Sequence, residues 1–276
     1  MFAKDNIQYK TPEQFVKMRA AGLVVAEVHA AMRAAVAPGV STKKLDEIAE
    51  ECIRAAGGVP SFLGYDIGLG PYPASICSSV NEQVVHAIPA KSQVLREGDL
   101  ISIDVGAIVD GWHGDAAITL PVGEVSKEAT DLIAVCEESL WAGIAAMATA
   151  KRLGDVSSAI QRSIQSHDRE YGIVAGFGGH GIGTEMHQDP HVLNYGRPGK
   201  GVKMRPGMAL AIEPMITLGT PDTIDDEDGW TVSTSDGSLA AHVEHSVALY
   251  DDGVWVLTAP DGGRAKLGDL LTSQAR

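Results

Sequence analysis

A chain of 276 residues, 45% hydrophobic and 21% charged, can hold one large globular domain or two closely packed halves. Its formal net charge of −14 argues against nucleic acid as the main ligand, because phosphate binding needs a basic face. With no run of about 18 apolar residues and no apolar signal core near Met1, neither a membrane span nor an export signal is expected. Cys52, Cys77 and Cys136 are an odd, widely spaced set with no disulfide or zinc framework, which fits a reducing cytoplasm.

Thr11-Pro12-Glu13-Gln14 reads as a helix start, with Thr11 as cap, Pro12 in the first turn and Gln14 closing a capping box. Apolar residues from Phe15 to Met32 continue the helix until Pro38-Gly39. A second helix is expected over 41–56, ended by Gly57-Gly58. Residues 57–73 are rich in Gly and Pro. Phe62, Tyr65 and Tyr72 in this loop read either as a binding wall or as a loop folded onto the core. Short strands are expected at 74–78 and 83–86.

Residues 100–120 form two apolar runs around Asp110-Gly111, a strong hairpin signal. Asp104 and Asp115 stand where a strand should carry apolar side chains. Burying two carboxylates on one ribbon is costly and sets them against each other. A bound cation would resolve both problems, and exposure at a strand edge is the alternative. Helices are expected at 127–150 and 156–170, with Arg152-Leu153-Gly154 as the stop between them. The acidic stretch 221–229 reads as a solvated loop, and the polar tail 262–276 as loosely held.

The pattern repeats. Gly39 to Gly57 and Gly154 to Gly172 have the same spacing. Gly98 precedes Asp104 as Gly207 precedes Glu213. His113-Gly-Asp-Ala-Ala-Ile-Thr-Leu matches His242-Val-Glu-His-Ser-Val-Ala-Leu, pairing Asp115 with Glu244. His86-Ala-Ile-Pro matches His180-Gly-Ile-Gly. These matches imply two related α+β halves, about 11–122 and 123–258, within one catalytic domain spanning 1–276. If their strands face each other, four acids converge, and mixed carboxylate and imidazole ligation suits a pair of divalent transition ions. His180 and His187 are framed by glycines that let the backbone approach closely. His113 and His242 read as supporting or structural residues, and His29, His167 and His191 as surface or packing residues.

Five segments carry a family resemblance: S-S-V-N-E-Q-V-V-H-A-I-P (78–89), S-I-D-V-G-A-I-V-D-G-W-H-G-D-A-A (102–117), G-G-H-G-I-G-T-E-M-H-Q-D-P (178–190), A-I-E-P-M-I (211–216) and W-T-V-S-T-S-D-G-S-L-A-A-H-V-E-H (230–245). The chain resembles the type I methionine aminopeptidases, in their compact actinobacterial form. Those are metallopeptidases of the pita-bread fold.

The resemblance implies two divalent ions (Co, Mn, Fe, Zn or Ni) on Asp104, Asp115, His180, Glu213 and Glu244. Asp115 and Glu244 would bridge them, and Glu213 would be the general base. His86 would lie near the substrate amine, and His187 near the scissile amide. Phe62, Tyr65, Tyr72, Cys77, Met186 and Trp230 align with the methionine pocket. The implied substrate is the N-terminal Met of nascent peptides, with a small second residue preferred. The implied enzyme is a cytoplasmic monomer, with docking on the ribosome left open.

One departure stands out. In the family the two pocket tyrosines are usually separated by two residues, whereas six residues, Asp66 to Pro71, separate Tyr65 from Tyr72 here. This insertion is expected to reshape the pocket rim and alter second-position preference, and it leaves the placement of Tyr65 or Tyr72 open. Prolidases and aminopeptidase P share the ligand set but normally carry a large extra N-terminal domain. A catalytically dead binding module would have lost ligands, and here all five are present.

Overall fold

The computed structural model describes residues 6–275. The first helix, α1 (Pro12–Ala35), starts on the expected capping box. Thr11 Oγ1 accepts from the Gln14 N–H at 3.3 Å, and Gln14 Oε1 accepts from the Thr11 N–H at 2.9 Å. The second, α2 (Thr42–Ala55), is capped by Ser41. Both helices cover a four-stranded antiparallel sheet. Its central strand, Leu100–Val109, pairs with Trp112–Pro121 and, elsewhere, with Ile76–Val80 and Val59–Pro60. Asp110 and Gly111 both take positive φ, 49° and 78°, as a two-residue hairpin turn requires. Val25, Val28, Met32, Leu45 and Ile53 bury themselves against Ile76, Ile101, Ile103 and Ile118.

The second half repeats this plan. The helices α3 (Lys127–Met147) and α4 (Leu153–Gln165) share a core with a five-stranded sheet. Its strand order is Gly253–Val256, His245–Tyr250, Ala209–Ile212, Gly179–Gly181, Gln188–Val192. The acidic stretch forms the exposed end of a hairpin, in which Thr223–Asp225 pairs with Val232–Thr234. Val232–Thr234 in turn pairs with Gln83–Val85 and ties the halves together.

The halves meet at their second acids. The Glu244 N–H donates to Ala117 O at 2.9 Å, and the Ala117 N–H donates back to Glu244 O at 3.4 Å. Two residues along, the Ser246 hydroxyl accepts from the Asp115 N–H at 3.1 Å and donates to Asp115 O at 2.8 Å. This reciprocal pairing relates Asp115 to Glu244 by a local twofold. Gly114 packs so tightly on α1 that an added Cβ would lie 2.6 Å from Gly22 N. The helix therefore fixes the strand immediately beside Asp115.

Three expectations are corrected. First, α4 begins at Leu153 and ends at Gln165. Arg152-Leu153-Gly154 is thus its start and not a stop. Asp155 Oδ2 supplies the cap, accepting from the N–H groups of Lys151 and Arg152. Second, the tail is packed. It forms a helical turn at Arg264–Leu267, buries Leu267 and Leu271 in the second core, and bridges Val254 to Leu271. Third, Gly179–Gly181 lies beside Ala209–Ile212 as Ile76–Val80 lies beside Leu100–Val109. His180 therefore answers to the segment holding Cys77 and Ser79, not to His86.

Candidate active site

Asp104 lies opposite Ala117 and Asp115 opposite Gly106, so strand alternation puts both carboxylates on one face of the ribbon. Glu213 directly follows Ala209–Ile212, where Pro214 interrupts the strand. Asn194, fully buried, donates from Nδ2 to the Glu213 carbonyl at 2.9 Å and holds the backbone there. Asp115, Glu213, Glu244 and His180 are all buried. Ligand atoms of Asp115, His180 and Glu244 lie within 4.8 Å of one another, as do those of Glu213, His242 and Glu244. Asp104 is outside these two triads and half-buried. His180 Nε2 stands 3.7 Å from Glu213 Oε1 and 4.0 Å from Asp115 Oδ2. Its Nδ1 lies 3.0 Å from the Gly181 carbonyl, an acceptor, so Nδ1 carries the hydrogen and Nε2 turns a free lone pair into the acid cluster, as a cation ligand does.

The cluster is electrostatically unbalanced. Burial pushes the Asp104 carboxyl up to about 7 and, together with the neighbouring acids, raises Asp115 and Glu244 well above the carboxylate range. Burial also acts to raise Glu213, but His242, 3.3 Å away, with His180 and His187 outweighs it and keeps its pKa low. Asp104 Oδ1, Asp115 Oδ1 and Glu244 Oε1 are buried without a hydrogen-bond partner. Unpaired buried carboxylate oxygens converging with an imidazole nitrogen are the donor set of a divalent cation. The residues fit such an ion.

Two further histidines border the acids. His86 adopts positive φ, 62°, and its ring packs edge-on to Phe177 with centroids 5.8 Å apart. Burial lowers its pKa to about 4, so it is neutral at pH 7. His187 is accessible at the cavity mouth, 4.3 Å from His180 between ring centroids. Desolvation and His180 lower its pKa as well. Tyr65 Oη lies 2.6 Å from His187 Nδ1.

Beside these groups Phe62, Tyr72, Cys77 and Met186 form one apolar cluster with Ala74, Tyr65, Ile88 and Trp230. Tyr72 meets Trp230 edge-on at 5.1 Å, and its hydroxyl reaches the carbonyls of Ile76 and Ala87, 3.1 and 3.0 Å away. Burial holds the Cys77 thiol protonated. The insertion does not displace either tyrosine. The Tyr72 N–H donates to Tyr65 O at 2.8 Å and the Gly64 N–H donates to Tyr72 O at 2.9 Å, so Asp66–Pro71 is looped out from a closed base. All thirteen residues named from the sequence line one cavity of about 780 Å³.

A profile of metallopeptidase family M24 matches residues 16–251. The chain belongs to metallopeptidase family M24. Within it the chain stands with the methionine aminopeptidases. It is 55% identical over 245 residues to methionine aminopeptidase 1 of Mycobacterium tuberculosis, covering 87% of this chain and 91% of that one. The crystal structure of methionine aminopeptidase from Rickettsia prowazekii superposes with a TM-score of 0.87 at 38% identity, covering 92% of this chain and 100% of that one. These neighbours carry the pita-bread fold expected from the sequence. An Xaa-Pro dipeptidase from Bacillus anthracis, at 20% identity and TM-score 0.71, covers 92% of this chain but only 62% of its own and shares the fold alone.

His242, read from the sequence as a supporting or structural residue, does support this M24 site, and several other residues of the site were not singled out from the sequence. His242 touches Glu213, although its mirrored partner His113 instead meets Ser61 Oγ at 3.0 Å. His191, read as a surface or packing residue, is exposed and also lines the cavity, together with Phe177, Met215, Asn6 and Gln8. His29 is buried, and His167 faces Glu138 at 3.3 Å, both away from the site. The glycines around Phe177 were a usable signal. Asn6 and Gln8 had none, because they reach the cavity only through the tertiary fold.

Proposed function

We propose that this aminopeptidase removes the N-terminal methionine with two divalent ions held by Asp104, Asp115, His180, Glu213 and Glu244. The observation that carries this reading is the continuity of the Phe62–Tyr72–Cys77–Met186 pocket with the unpaired acids on one cavity. Soft sulfur and aromatic walls suit a methionine side chain. When bound, the ions supply Lewis acidity and make water a nucleophile near neutral pH.

The chain's own groups do the rest. Glu213, kept ionised by His242, accepts and relays the water's proton. Neutral His86 accepts a hydrogen bond from the substrate's amine, and the acids attract that amine's positive charge. His187, with Tyr65 on Nδ1, presents Nε2–H to the developing oxyanion. Tyr65, His86 and His187 crowd the space beyond the pocket, which favours a small second residue.

On this reading the whole chain is one catalytic unit that works as a monomer in the cytoplasm on new chains leaving the ribosome. Among the described residues no helix is long and apolar enough to cross a membrane. The test is hydrolysis of Met-Ala-Ser against an X-Pro peptide, with and without divalent ion. Met-Ala-Ser alone should be cleaved, EDTA should stop it, and Asp104→Ala should abolish it. Turnover surviving in Asp104→Ala would overturn the ligand assignment.

A further inference from the structure

The looped-out insertion presents two exposed apolar side chains, Ile67 and Leu69, and Leu63 is exposed just before its closed base. Leu63, Ile67 and Leu69 are 42%, 60% and 58% exposed. Exposed aliphatic residues are ordinary when scattered, whereas these three fall within seven positions of one loop. The loop is also well built. Asp66 Oδ1 accepts from the Gly68 and Gly70 N–H groups at 2.7 and 3.1 Å, and the base is closed by the Tyr65–Tyr72 pairing. Gly68 and Gly70 both take positive φ, 96° and 91°, so the shape depends on residues that tolerate it.

The patch is continuous with the cleft. Ile67 itself lines the cavity, as do Tyr65, Asn6 and Gln8. Tyr65 touches His187. Two residues of chain span at most about 7 Å, so Ile67 stands within one extended dipeptide of Tyr65, which touches His187. An extended peptide advances about 3.3 Å per residue, which brings its third residue, then its fourth, to that distance from the scissile bond. The methionine side chain does not fill a cavity of about 780 Å³, and Ile67 of this lip lines part of its wall.

The geometry points to the Leu63–Leu69 lip as a subsite for apolar side chains at the third and fourth positions of the substrate. It rests on the methionine-removing reading above and extends recognition beyond the second residue. Ile67 and Leu69 shield such side chains from water, so peptides with leucine there are turned over faster than their serine counterparts.

The test compares kcat/KM for Met-Ala-Leu-Leu and Met-Ala-Ser-Ser. The wild type should favour the leucine peptide about fivefold, the size expected from partly burying one aliphatic side chain. In the Ile67→Ser/Leu69→Ser double variant the ratio should fall to near one, with melting temperature checked to confirm folding. Shortening the loop by removing residues 67–70 should give the same collapse of the ratio. A wild-type ratio near one, or a ratio that survives both changes, overturns the subsite. Failure of the wild type to cleave either peptide counts instead against the functional reading itself.

Discussion

Tyr65 Oη lies 2.6 Å from His187 Nδ1, with the two rings 5.2 Å apart. Desolvation, with Glu185 and Asp115 nearby, raises the tyrosine's pKa, so its hydroxyl stays protonated and donates. His187 is neutral, accepts at Nδ1, and carries its own hydrogen on Nε2. Tyr65 thus selects the tautomer that can stabilise an oxyanion.

Tyr65→Phe should therefore lower kcat for Met-Ala-Ser about tenfold with KM within about twofold, because it releases the ring without removing it. His187→Ala should cost about a hundredfold. The double variant should be no slower than His187→Ala, since the tyrosine acts through the histidine. Additive losses in steady-state kinetics would show that Tyr65 acts on substrate independently.

The ribbon's contact with α1 gives a stability test. A Cβ on Gly114 would lie 2.6 Å from Gly22 N and 2.9 Å from Ala21 C, both backbone atoms of a helix packed in the core. Neither can rotate away. Gly114→Ala should destabilise the protein by about 2 kcal/mol, or about 4–8 °C in melting temperature. It should also weaken divalent-ion binding, because Asp115 follows directly. An unchanged melting temperature by calorimetry would disprove the tight contact.

The caps and acids were legible because their signals are local. Thr11 needs only Gln14, and a carboxylate in an apolar strand is anomalous wherever the strand goes. The start of α4 misled because Gly154 looks like a helix stop. Its lack of a side chain instead serves close packing, since a Cβ there would meet the carbonyls of Arg197 and Lys200. The tail misled by composition, since Leu267 and Leu271 insert singly among polar residues and make no periodic pattern. His86 and His180 share a local motif, yet strand pairing decides equivalence, and pairing is a tertiary property. His242 could be seen as mirrored but not as Glu213's neighbour, for the same reason.

The raised carboxyls predict how metal and pH are linked. Asp104 has a folded pKa of about 7 against 3.8 in the unfolded chain, so the native state holds the proton between them. Its contribution to stability is full below about pH 4 and is lost as pH rises through 7. Asp115 and Glu244 are also raised well above the ordinary carboxylate range and act in the same sense. The lowered histidines act in the opposite sense, but below about pH 6.5, where they would charge. Between about pH 6.5 and 7.5, above the range where the histidines charge and below the pKa of about 8 to which burial lowers Lys10, the acids therefore dominate. With EDTA the melting temperature should fall across that range, and the rise produced by manganese should grow. Asp115→Asn should make the metal-free protein more stable at about pH 7.5 while abolishing the manganese-induced rise. A metal-free melting temperature that climbs from about pH 6.5 to 7.5 would contradict this balance.

Gln8 clamps the segment that carries His187. Its Nε2 donates to Thr184 Oγ1 at 2.9 Å, while its Oε1 accepts from the Thr184 N–H at 3.2 Å and from Gln188 Nε2 at 3.1 Å. Lys10 adds a contact from Nζ to Gln188 Oε1 at 3.2 Å. Gly183 makes room, since a Cβ there would overlap Gln8 Oε1. Met186 and His187 lie between the two clamped residues, so Gln8 fixes both the pocket wall and the oxyanion donor from outside. Gln8→Ala leaves the core and the acids untouched and should change the melting temperature by less than about 2 °C. It should lower kcat for Met-Ala-Ser about fivefold by loosening His187. Gln8→Glu keeps the two acceptor contacts and loses the donated one, so it should retain more activity than Gln8→Ala. Equal kcat in the wild type and Gln8→Ala would show that the segment holds its shape without the clamp.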